Sequence, residues 1–174
     1  NVDIVGEEDV AADAEVLAVA LDALRAFGLE SDDIVARVSD RRLLERVLLA
    51  LGVEPGSLAA VYGVIDKLER EDIERTRERL TSIAGLDEAV AGRLLALFDE
   101  PSLDAIAAAF AGRPGVDAEV ERMRRYLGYL DDAGFGGFVE FDARIVRGLA
   151  YYTGTVFEIF DRRGELRAIC GGGR

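Results

Sequence analysis

A long middle stretch carries helical periodicity and no strand pattern, yet segments with strand patterns flank it on both sides. From Ser57 to about Gly112 the apolar residues recur every three or four positions. Leu58, Val61, Val64, Ile65 and Leu68 form one stripe, and Ile73, Leu80 and Ile83 follow in and just after the heavily charged run from Glu69 to Arg79. Two further helical patterns follow, residues 86–98 opened by Asp87 and residues 102–110, with Pro101 between them. Val53-Glu54-Pro55-Gly56 and Arg113-Pro114-Gly115 bracket the stretch with turn chemistry. This organisation predicts an α/β or α+β fold in which a small all-helical module, residues 53–115, interrupts a core built from residues 1–52 and 116–174. The charge run within the module reads as a solvated helix face.

The flanking segments supply the core. Val2-Asp3-Ile4-Val5-Gly6 alternates apolar with small or polar residues and predicts a short strand, with Asp3 sharing a face with Asn1 and Val5. On composition alone, Asp3 is a strand-end residue capping a turn. A helix follows from Asp9 or Asp13 to Phe27, its stripe made of Leu17, Ala20, Leu21, Leu24 and Phe27 and widened by Val16, with Gly28 past its end. Residues 34–38 read as a strand, and Ser39 or Asp40 caps a helix over residues 41–51 that Gly52 stops. After the module, residues 116–130 form a helix lined by Val120, Met123, Leu127 and Leu130, with arginines and acids opposite. Residues 138–142 then open a strand-rich tail, in which residues 155–160 and 165–170 form a hairpin around Asp161-Arg162-Arg163-Gly164.

Composition removes several functional classes. Half of the 174 residues are hydrophobic, enough for a sizeable core, while no apolar run reaches the roughly 18–20 residues that span a bilayer. Cys170 is the only cysteine, so no intrachain disulfide forms, and the absence of histidine excludes zinc sites and His-based triads within the chain. A net charge of −13 argues against non-specific coating of nucleic acid but leaves room for a local contact patch. Lys67 is the only lysine, a usage that fits a GC-rich coding sequence or a salt-adapted acidic surface. No signal-peptide pattern follows Asn1, and the last residues read as mid-domain, so an internal piece of a longer protein is expected.

The chemistry concentrates near the C-terminus. Arg147-Gly148-Leu149-Ala150-Tyr151-Tyr152-Thr153-Gly154-Thr155-Val156-Phe157-Glu158 combines a cation, two phenols, two glycines and a carboxylate, and Cys170-Gly171-Gly172-Gly173-Arg174 follows it. On an unbulged strand Tyr152, Gly154, Val156 and Glu158 point one way, and Tyr151, Thr153, Thr155, Phe157 and Ile159 the other. A phenol, a gap left by glycine and a carboxylate on one face suit a ligand that offers both donors and acceptors. Arg147 can clamp a carboxylate or phosphate in bidentate fashion, and Gly171, Gly172 and Gly173 allow backbone to approach closely. Each part has a plainer reading as well: strand packing for the tyrosines, a loop or bulge for the glycines, a surface ion pair for the arginine.

Together these two segments closely resemble the two histidine-specific signature segments of histidyl-tRNA synthetases. Asn1-Val2-Asp3-Ile4-Val5-Gly6 resembles the strand closing the second class II motif, Ala12-Asp13-Ala14-Glu15-Val16 the helix opening after it, and Val61-Tyr62-Gly63-Val64-Ile65-Asp66-Lys67-Leu68 the start of the family's helical insertion. The resemblance implies an α+β fold, a class II catalytic core whose antiparallel sheet is flanked by helices, with an inserted helical domain that leans on the tRNA acceptor arm. It implies a cytoplasmic, homodimeric enzyme that joins histidine to ATP, with Mg2+, and transfers the histidyl group to the histidine tRNA, with no membrane association and no metal held by this chain. By the same resemblance Arg147 is the catalytic arginine beside the amino-acid carboxylate and α-phosphate. Tyr151 and Tyr152 are then the histidine-binding pair and Asp3 an acidic residue that holds the substrate, with Gly154, Glu158 and Gly171 to Gly173 forming the site floor. Ala150 departs from the family pattern, which has Asp there. The first and third motifs, the motif 2 arginine and the anticodon domain lie outside these residues, so the chain alone is expected to form no adenylate. The alternative is a synthetase-like regulatory subunit that senses histidine without charging tRNA; such relatives tend to lose both the 147–152 segment and the insertion.

Overall fold

Five helices begin in the same way. Asp9, Asp40, Asp72, Asp87 and Ser102 each sit in extended backbone and accept hydrogen bonds from main-chain N–H groups of the following turn. Each cap satisfies donors that the helix itself leaves open, and is worth about 1 kcal/mol. The computed structural model describes residues 1–146, 152–164 and 167–174, apart from the side chain of Glu69. Its helices are α1 (Val10–Ala26), α2 (Arg41–Ala50), α3 (Leu58–Ile65), α4 (Ile73–Ser82), α5 (Glu88–Asp99), α6 (Leu103–Ala109) and α7 (Pro114–Asp132). Its strands are β1 (Ile34–Asp40), β2 (Val139–Phe141), β3 (Thr155–Asp161) and β4 (Cys170–Gly173).

The strands form one sheet in the order β2-β1-β3-β4. β3 runs antiparallel to both β1 and β4, and β2 adds to the outer edge of β1 in parallel. On one sheet face Ile34, Ala36, Val38, Phe157 and Ile159 join the apolar sides of α1 and α7 in a buried cluster that continues into α3 to α6. α1 packs against α7, and α7 against α2. The opposite face carries a smaller cluster of Ile145, Tyr152 and Val156, with Phe160 packed on it. This is the α+β arrangement of a sheet flanked by helices that the sequence predicts.

Three expectations are corrected. Residues 2–6 form no strand: Val5 is 92% exposed, and their alternation meets no ladder partner among the described residues. Phe27 leaves the core stripe and is 86% exposed. At about 100° per residue it stands roughly 120° away from Leu21 around the helix axis, and it occupies the C-cap before Gly28 turns the chain at φ +87°. The hairpin forms, but its second arm is Cys170–Gly173 rather than residues 165–170; Glu165 and Leu166 lie outside the described residues. The glycine run is therefore strand, not loop. A Cβ on Gly172 would lie 2.9 Å from the Phe157 ring, and one on Gly173 only 2.5 Å from the Thr155 carbonyl oxygen. Only residues without side chains let β4 lie this close.

Leu17 is fully buried where Phe27 is not. Leu17→Ala is expected to lower the unfolding free energy of the intact protein by about 2–5 kcal/mol. Phe27→Ser should change it by less than about 0.5 kcal/mol in the same urea titration.

Candidate functional site

A cavity of about 730 Å3 lies between the N-terminal segment, α1 and β4. Asp3 reaches it from the first residues of the chain, Tyr152 from just before β3, and Gly171, Gly172 and Gly173 from β4. Tyr152 is 8% exposed, and its ring lies against Gly173, where an added Cβ would be 2.9 Å from Tyr152 Cδ1. Opposite ends of the sequence thus meet at one cavity. Gly154 and Glu158 lie apart from its lining. Gly154 precedes β3 and gives its carbonyl to the Arg41 N–H at 2.9 Å, while Glu158 pairs in register with Gly171 and with Arg37 of β1. Arg147 and Tyr151 fall outside the described residues.

Beneath the cavity runs a network of buried charge. Arg174, at the end of β4, donates from Nε to Asp13 Oδ1 at 2.8 Å and from its two Nη atoms to the carbonyls of Glu7 and Asp9. Asp13 Oδ2 accepts from Arg122 Nη2 at 3.3 Å, and Arg122 Nη1 donates to Asp40 Oδ2. Thr155 Oγ1 lies 3.3 Å from both of those carboxylate oxygens. Asp40 Oδ1 accepts from the N–H groups of Arg42 and Leu43 at the start of α2. Two carboxylates and two guanidiniums so tie α1, the β1–α2 junction, α7, β3 and β4 together, with charges balanced in a region where unpaired charge would be costly. The Tyr126 hydroxyl is buried nearby without a hydrogen-bond partner among the described residues. Burial, and then the charges of Asp13 and Asp40, push its pKa above the ordinary phenol range, so it stays neutral.

Sequence reasoning misses this network. It treats Asp13 as a possible helix start and Arg122 as one of the outward arginines. The legible signal is spacing: Asp13 stands three residues after Val10 and four before Leu17, on the buried stripe of α1.

A second set of contacts holds the main chain that flanks residues 147–151. Arg41 Nη1 donates to the Val146 carbonyl at 2.9 Å, and Arg42 Nε to the Thr153 carbonyl at 3.2 Å. The Thr153 N–H donates to the Arg174 carbonyl, and the Arg174 N–H to that of Thr155. Among the described residues no group of three or more His, Cys, Asp or Glu side chains is placed to hold a metal, and no helix is long and apolar enough to cross a membrane.

Known proteins share both the sequence and the fold. A family model described as Histidyl-tRNA synthetase matches residues 2–174. The histidine–tRNA ligase of Halorubrum lacusprofundi is 43% identical over 182 residues, covering 100% of this chain and 40% of that protein. The chloroplastic/mitochondrial histidine–tRNA ligase of Arabidopsis thaliana is 36% identical over 174 residues, covering 100% of this chain and 35% of that protein. The crystal structure of histidyl-tRNA synthetase from Nostoc sp. PCC 7120 superposes with a TM-score of 0.82 at 21% identity, over 96% of this chain and 40% of that one. The chain thus spans 35–40% of the length of these curated relatives.

Arg122→Leu strands Asp13 and Asp40 without their shared cation and is expected to destabilise the intact protein by about 3–5 kcal/mol in urea unfolding. Tyr126→Phe removes an unsatisfied buried hydroxyl. It should leave stability unchanged or raise it by up to about 1 kcal/mol, whereas a loss of that size would reveal a partner for the hydroxyl.

Proposed function

This chain belongs to the histidyl-tRNA synthetase family, and on that premise we propose that it is the middle part of the catalytic core of a histidine–tRNA ligase. In this reading the histidine carboxylate attacks the α-phosphorus of ATP, pyrophosphate leaves, and the resulting acyl-adenylate gives its histidyl group to the 3′ end of the histidine tRNA as AMP departs. The observation that carries the reading is the meeting of Asp3, Tyr152 and the β4 glycines at one cavity, in a chain whose 147–158 segment resembles the family's signature.

The roles follow from chemistry. A neutral imidazole has one donor and one acceptor nitrogen. The Asp3 carboxylate accepts from the first, and a phenol of the Tyr151–Tyr152 pair donates to the second. A site that loses buried hydrogen bonds when a wrong side chain enters discriminates strongly enough to need no editing. Arg147 offsets repulsion between the substrate carboxylate and the α-phosphate and stabilises the charge that develops between them. Gly171 to Gly173 form the floor, and Gly154 and Glu158, apart from the lining, take no place in it. Mg2+ accompanies ATP in the family's reaction; the described residues offer no cluster that fits it, and none is assigned to it.

In the same reading residues 53–115 are an inserted module that contacts the tRNA acceptor arm, residues 1–52 and 116–174 are two parts of one catalytic core, and the whole protein is a cytoplasmic homodimer. Retention of the 147–152 segment supports the ligase over a histidine-sensing regulatory subunit.

The intact protein is expected to catalyse histidine-dependent exchange of pyrophosphate into ATP, and residues 1–174 alone to catalyse none. Arg147→Ala should slow exchange on the order of 100-fold or more while weakening histidine binding far less, and undiminished turnover would remove Arg147 from the mechanism. Tyr152→Phe should lower selectivity for histidine; unchanged affinity and selectivity would place its hydroxyl outside the imidazole pocket.

A further inference from the structure

α2 opens on two arginines that reach the main chain on both sides of residues 147–151. Arg41 uses its side chain for the Val146 carbonyl and its own N–H for the Gly154 carbonyl, each at 2.9 Å, while Arg42 takes the Thr153 carbonyl. Arg41 has a further partner from another part of the chain. Its guanidinium carbon lies 4.2 Å from the centre of the Tyr62 ring in α3. Both side chains are half-buried. Burial, offset by Arg41 and reinforced by Glu45, raises the Tyr62 pKa to about 12, so the ring meets Arg41 as a neutral phenol. A planar guanidinium can present its face to a ring and its edge to a carbonyl at once; an ammonium cannot do both.

We propose that Arg41 is a positioning residue through which Tyr62 of α3 fixes the main chain flanking residues 147–151, so that the seating of the helical segment governs histidine activation. The inference rests on the ligase reading for its kinetic consequence, but not for its structural one. The ring narrows the orientations open to the Arg41 side chain and keeps its Nη1 aimed at Val146. Without the ring, the guanidinium swings more freely and the Val146 carbonyl loses a fixed donor, while the Arg41 N–H still holds Gly154 and Arg42 still holds Thr153. The tyrosine hydroxyl has no part in this arrangement.

The test compares Tyr62→Phe, Tyr62→Leu, Arg41→Lys and the Tyr62→Leu/Arg41→Lys pair in the full-length protein. Three readouts are needed: histidine-dependent pyrophosphate exchange, thermal unfolding, and amide hydrogen exchange over residues 144–146. Tyr62→Phe should match the wild type. Tyr62→Leu and Arg41→Lys should each lower kcat/KM for histidine roughly tenfold and speed amide exchange at Ile145 and Val146, and the pair should be no worse than either alone. Unaltered kinetics and amide exchange in Tyr62→Leu would overturn the proposal. So would a pair whose losses multiply, or a Tyr62→Phe variant as impaired as Tyr62→Leu. If Tyr62→Leu fails to fold, the same readouts on Arg41→Lys decide. A wild-type protein inactive in the exchange assay would refute the ligase reading instead, and the amide-exchange comparison would still judge the positioning role.

Discussion

Asp40 is the residue on which most of this architecture turns. It is the last residue of the central strand β1 and the cap of α2, and it is 1% exposed. One carboxylate oxygen satisfies two N–H groups of the helix, and the other pairs with Arg122 of α7 and lies near the Thr155 hydroxyl of β3. A charge buried this deeply is stable only when every neighbour is in place, so the position of one side chain fixes strand, two helices and the adjoining strand together. Arg122 then carries the constraint to Asp13 in α1, and Arg174 carries it from Asp13 to the end of β4. The helices on one sheet face and the edge strand beside the cavity share one electrostatic scaffold.

Much of the secondary structure is legible from the sequence because local rules and packing agree. Asp87 and Ser102 announce their helices and cap them, and Gly52 stops α2 with φ +94°. The failures arise where a local pattern has nothing to pack on or where close approach overrides propensity. Val2 to Gly6 alternates like a strand but meets no partner in the sheet among the described residues. Phe27 fits the helical stripe by hydrophobicity, yet the stripe has rotated away by the time the helix reaches it. In β4 the low strand propensity of glycine is overruled by the Phe157 ring and the Thr155 carbonyl, which leave no volume for a side chain.

The candidate site is legible in a different measure. Motif reasoning selects Asp3, Tyr152 and the β4 glycines, and folding brings them to one cavity. Arg147 and Tyr151 belong to the same motif but to residues beyond those described. Periodicity cannot show the supporting contacts, because they join residues far apart in sequence. Asp13 to Arg122, Asp13 to Arg174 and Arg41 to Val146 each span more than 100 positions. Each of these partners carries a local reading that is reasonable and incomplete: an acidic helix start, a solvated arginine, a helix-opening cation.

The edge strand beside the cavity has a consequence for heredity as well as for shape. Every single-base change that replaces a glycine adds at least one carbon, and at Gly172 and Gly173 that carbon would enter space already occupied by Phe157, Thr155 and Tyr152. The part of the chain with the least chemical content is therefore among the least free to drift. A lineage can trade one surface acid for another with little effect, but alleles that touch these two positions disturb a neighbouring strand at once.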